Sequence, residues 1–79
     1  MGSNYFKNWR ADEVRKFAQE HGFMLKNQHG DDEYWSNKAL GALFRIPHRN
    51  EIIILPTMMS MVRKSKIDRK VWLEWKNKE

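Results

Sequence analysis

The sequence predicts an α+β domain: one helix, a three-stranded antiparallel meander, a second helix, and a short third helix at the C-terminus. Three observations predict it. Val14, Phe17, Ala18 and His21 recur at i, i+3, i+4 and i+7, the spacing of one helix face. From Phe23 to Ile46 the apolar residues alternate instead, interrupted by turns at Gly30 and Gly41. After Pro56, Met58, Met61, Val62 and Ser65 return to helical spacing.

Residues 1–10 read as an irregular lead-in, with Tyr5, Phe6 and Trp9 covering the edge of the core. The first helix spans Ala11–His21. Asp12 and Glu13 sit at its start, where the helix dipole favours negative charge, and Gly22 follows its end, where a left-handed cap is common. Arg15, Lys16, Gln19 and Glu20 fall on its other face and are expected in solvent. His21, on the last turn, is expected to cap or pack.

The strands are expected at Phe23–Gln28, Glu33–Asn37 and Ala42–Ile46. Phe23 and Leu25 point one way, Met24 and Lys26 the other. Phe44 and Ile46 share a face opposite Leu43 and Arg45. Pro47 closes the third strand because it cannot donate to a ladder. Ile52-Ile53-Ile54-Leu55 fits either a buried loop or a short strand. The second helix runs Pro56–Ser65 with Thr57 as a candidate cap. Asp68 looks like the N-cap of a third helix over Arg69–Lys76. Val71, Trp72 and Trp75 form its buried face, with Lys70 and Lys76 outside.

At 79 residues the chain holds one domain, and its 41% hydrophobic content with four Trp suits a small core built of large side chains. The absence of Cys excludes disulfides and a thiolate zinc site. No apolar run approaches a membrane span and no signal pattern opens the chain, so the cytoplasm is the default compartment. The net charge of +5 comes entirely from residues 41–79, with nine Lys/Arg against four Asp/Glu. A basic half of this kind fits either a polyanionic partner or a solvated surface.

Chemistry is expected at Gln28-His29-Gly30-Asp31-Asp32-Glu33-Tyr34-Trp35, a hairpin holding the only run of three acids. Asp32 has the chemistry of a base, and His29 or His48 beside the turn that of an acid and base at neutral pH. A carboxylate site for Mg²⁺ or Mn²⁺ at Asp31, Asp32, Glu33 and His29 is a further alternative, as is a solvated hairpin tip.

Several short stretches resemble one family in their order along the chain. They are His21-Gly22-Phe23 after the first helix, Gly30-Asp31-Asp32-Glu33-Tyr34-Trp35, Ile46-Pro47-His48-Arg49, and Leu55-Pro56-Thr57-Met58 through Ser65. They are similar to the HicA family of small bacterial mRNA-interferase toxins, over roughly residues 11–67. The resemblance implies the α-β-β-β-α double-stranded-RNA-binding fold, with residues 68–79 as an added C-terminal helix. It also implies RNA as substrate, a HicB-like antitoxin partner, no cofactor and no required metal. The family's catalytic His falls on Asp32, which implies an endoribonuclease that is weakened or inactive. A surface of Lys26, Arg45, Arg49, Arg63, Lys64 and Lys66 is expected to meet the RNA. The alternatives are a non-catalytic module of the same fold that docks RNA or an antitoxin, and DNA binding through the two C-terminal helices.

Overall fold

The computed structural model describes residues 6–49 and 51–78. Tyr5 and the lead-in before it lie outside the described residues. Helix α1 (Ala11–Glu20) starts at Arg10, whose amide donates to Glu13 Oε1 at 2.9 Å. Three of its four expected face residues are buried: Val14, Phe17 and Ala18. His21 caps the helix, with its ring stacked on Phe17 at 4.0 Å and Nδ1 2.8 Å from the Phe17 carbonyl.

The strands β1 (Met24–His29), β2 (Asp32–Asn37) and β3 (Ala42–Pro47) form one antiparallel sheet in the order β1-β2-β3, each within a residue of expectation. His29 faces Asp32 across a two-residue turn, and Gly30 takes φ +59 as the first central residue of that turn, the pattern of a type II′ hairpin. The pairing shifts between Leu25 and Asn27, so Lys26 is an extra, bulged residue in β1. Asn37 closes the other end. Its amide Nδ2 donates to the His21 carbonyl at 3.0 Å, and its Oδ1 accepts the Leu40 amide at 3.1 Å.

One face of the sheet is buried through Glu33, Trp35 and Asn37 of β2 and Ala42, Phe44 and Ile46 of β3. Helices α1 and α2 (Leu55–Ser65) pack over β3. The β1 edge extends beyond that cover. Every residue of β1 is exposed, including Leu25 at 50%, although it shares a face with buried Trp35.

Between β3 and α2 the chain runs back along the lead-in. The Ala11 amide donates to the Glu51 carbonyl and the Ile53 amide to the Trp9 carbonyl, making a single Arg10–Ile52 bridge rather than a full strand. Only Ile53 of the three isoleucines is buried. Thr57 does not cap α2. The cap position is Ile54, which offers no side-chain oxygen, and Thr57 falls inside the first turn. Helix α3 (Arg69–Lys78) does begin at Asp68, whose Oδ1 accepts the Lys70 amide at 2.8 Å.

One expectation about the periphery is corrected: Phe6 and Trp9 are wholly buried rather than edge cover. Helix α3 buries Trp72 and Trp75 of its expected face. The Trp72 ring stacks on Phe17 at 3.8 Å and meets Trp9 and Phe44 edge-on at 5.6 and 6.3 Å. Trp75 stacks on Trp9 at 5.8 Å, and its Nε1 donates to Glu20, which is exposed as the helical spacing predicts. Lys76, expected outside, is half-buried, bonded to Glu13 at 2.6 Å and lying 5.0 Å over the Trp9 ring.

Ser65 is a polar point inside this core. Its buried Oγ donates to the Val62 carbonyl and accepts the Trp72 indole N–H at 3.1 Å and the Ile67 amide at 3.1 Å. Ser65→Ala strands the buried indole donor, a loss of about 1–3 kcal/mol that a urea or thermal unfolding midpoint measures.

Candidate functional site

The run Asp31-Asp32-Glu33 spans the start of a strand, so its side chains part to different faces. Asp31, in the turn, lies 3.9 Å from the Arg49 guanidinium. Asp32 pairs with Arg45 of β3 at 3.2 Å on the face that carries no helix. Glu33 turns to the buried face and takes Arg15 of α1 at 3.0 Å. Each acid thus has its own arginine. Glu33 is no part of an exposed acidic tip, and Arg15 is no part of a purely solvated helix face.

Glu33 is the most heavily engaged of the three. Its Oε1 accepts from Arg15 Nε and from Trp35 Nε1, both at 3.0 Å. Its Oε2 lies 2.6 Å from His48 Nδ1. Arg15 also donates to the carbonyls of Pro47 and His48, which pins the exit of β3 to α1. Burial pushes the Glu33 carboxyl up, but the hydrogen bonds from His48 and Trp35 and the Arg15 guanidinium outweigh it, holding the pKa below the usual carboxylate range. An ionised Glu33 accepts only, so His48 Nδ1 is the donor of that bond. The His48 side chain is 50% exposed while that of Glu33 is 8% exposed. The imidazole is therefore oriented from below and reachable from solvent, the geometry a general base requires.

The other expected acid/base groups lie elsewhere. His29 is the direct cross-strand partner of Asp32, on the open face, with its ring edge-on to Tyr34 at 6.0 Å. His29, Asp32 and Arg45 thus share one surface, whereas His48 joins Glu33 and Arg15 on the helix side. Among the described residues no group of three or more acidic or histidine side chains is placed to hold a metal ion.

The expected cationic surface divides as well. Arg45 and Arg49 line a cleft of about 340 Å³ beside Asp31, Asp32, Glu51 and Thr57. Arg45 also borders a groove between β3 and α2 with Ser60 and Lys64. Arg63 is exposed on the last turn of α2. Lys66 caps that helix in a left-handed conformation (φ 61), with its Nζ beside Gly41. Lys26 stands apart on the bulge of β1.

No family model, curated protein or solved structure matches this chain. The motifs that resemble HicA proteins therefore have no matched relative behind them, and the fold is α+β in the order α-β-β-β-α-α. Among the described residues no helix is long and apolar enough to cross a membrane.

The low pKa of Glu33 ties stability to pH. A carboxyl whose folded pKa is depressed contributes stability above its unfolded pKa and loses it as pH falls through the folded value. Unfolding midpoints of the unmodified chain should therefore drop through the acid range. Glu33→Gln should be less stable at neutral pH and show a shallower acid-side decline.

Proposed function

We propose that this chain is a cytoplasmic RNA-binding protein of the HicA toxin kind, paired with a HicB-like antitoxin, and that it cleaves RNA weakly. The observation that carries this is the Asp32–Arg45 ion pair at the mouth of the hairpin. Asp32 occupies the position to which the resemblance assigns the acid/base. Its carboxylate is taken up by Arg45, and Arg45 is the cation best set to meet a phosphate there. The pair sets a carboxylate where an acid/base is expected and partly offsets the positive charge of Arg45. Cleavage through a 2′-hydroxyl needs one group to accept a proton and another to return one, and an ionised carboxylate has no proton to return. Arg49, Lys64, Arg63 and Lys66 still border the adjoining cleft and helix end and support binding.

The Glu33–His48 pair favours a second reading, in which the unmodified chain cleaves RNA with His48 as its acid/base. The two separate cleanly. On the first, Asp32→His raises metal-independent cleavage by about 10²–10⁴-fold, the usual scale of general acid–base catalysis, and frees Arg45 for phosphate. On the second, the unmodified chain already cuts, and His48→Ala abolishes cutting while Asp32→His adds little. A labelled RNA incubated with each variant and resolved on a gel decides between them.

Binding has its own measure. Each phosphate neutralised releases counterions, so affinity for RNA should fall steeply with salt. Reversing Arg63 and Lys64 together to Glu should weaken binding at low salt and flatten that dependence. Affinity indifferent to both would reduce the basic half to a solvated face.

A further inference from the structure

The helices cover one face of the sheet, and the other is open. Cross-strand partners share a face, so the register assigns Asn27, His29, Asp32, Tyr34, Ser36, Leu43 and Arg45 to the open side. Lys26, Asn27, His29, Tyr34 and Leu43 line a shallow depression of about 310 Å³ on it. A second depression continues from Lys26 and Leu43 to Lys38 and Gly41 at the β2–β3 turn. The Tyr34 ring is half-buried and His29 is exposed, so each offers a π surface to solvent.

We infer that this open face binds single-stranded nucleic acid, with bases stacked on Tyr34 and His29 and the backbone drawn along Lys26 and Lys38. The inference rests on the RNA-binding proposal above and gives it a strandedness and a second surface. Charge selects the occupant. Asp32 is the one acid among the strand residues of this face, and it is bonded to Arg45. Lys26 and Lys38 flank the aromatic pair with no acid bonded to them among the described contacts. With turn residues counted on both sides, Lys26, Lys38 and Arg45 outnumber Asp31 and Asp32, and Arg49 lies against Asp31, so the face meets a polyanion with net positive charge. The bulge lifts Lys26 out of the ladder alternation and sets it at the border of both depressions. An aromatic platform edged by cations takes an unpaired base of any identity, because every base has a π face. A duplex keeps its bases stacked and out of reach.

Fluorescence anisotropy of the full chain with a labelled single-stranded RNA, and with the same strand annealed to its complement, tests this. Tyr34→Ala should weaken single-strand binding by about 5- to 150-fold, the cost of one lost stack. It should leave the weaker duplex binding unchanged, and Tyr34→Phe should retain the affinity. His29→Ala, an exposed change that does not threaten folding, should weaken single-strand binding in the same sense. Three results overturn the inference. If Tyr34→Ala and His29→Ala bind normally while reversal of Arg63 and Lys64 abolishes binding, RNA is held elsewhere and only the open-face site falls. If the unmodified chain binds neither strand nor duplex, both proposals fall. If it sediments as a dimer that Tyr34→Ala dissociates and RNA does not, the face is a protein contact.

Discussion

A wholly buried indole must find an acceptor for its N–H inside the protein, and Trp72 finds it in Ser65 seven residues earlier. That bond ties α3 to the end of α2, and the Trp72 ring lies on Phe17, Phe44 and Trp9. One side chain thus joins α1, the sheet, the lead-in and both C-terminal helices. The same docking turns the remaining face of α1 toward the hairpin, where Arg15 reaches Glu33. The aromatic core and the polar cluster at the end of β3 are two consequences of one helix placement.

The distribution of charge shows how a basic surface and an acidic turn coexist. The three adjacent acids separate onto Arg15, Arg45 and Arg49, which come from a helix, a strand and a loop. Only the first of these pairs is shielded enough to matter strongly. The exposed Asp31–Arg49 pair is of the kind worth little in water. The turn is therefore locally near balance, and Arg63, Lys64 and Lys66 at the end of α2 and Lys26 on the bulge of β1 carry positive charge away from it.

Element order, strand bounds and the faces of β3 were legible in the sequence, because alternation and helical spacing are local and strong there. The buried face of α3 through Trp72 and Trp75 was legible too. The depth of Phe6 and Trp9 was not, because an aromatic residue outside a periodic element carries no local sign of which distant ring it meets. Arg15 was hidden for the same reason: spacing gives the face of a helix that leaves the core, not whether a neighbouring strand reaches it. Glu33 was a different case. It has the parity of Trp35 and Asn37, so a strand that buries Trp35 also buries Glu33, and a buried carboxylate requires donors. Alternation alone thus separates Glu33 from Asp32, although three adjacent acids look like one patch; which donor reaches Glu33 depends on the distant placement of Arg15 and His48.

The central position of Trp72 also sets a schedule. As the chain is made, α1 and the meander emerge first, with Phe17 and Phe44 lining a hollow that only α3 fills. Until that segment is released, the apolar floor of the sheet stays open to water and to other chains. The protein therefore has no complete early half that waits for a late ornament. A chain interrupted before Trp72 leaves Phe17 and Phe44 uncovered, exposed to the aggregation and proteolysis that await unfinished cores.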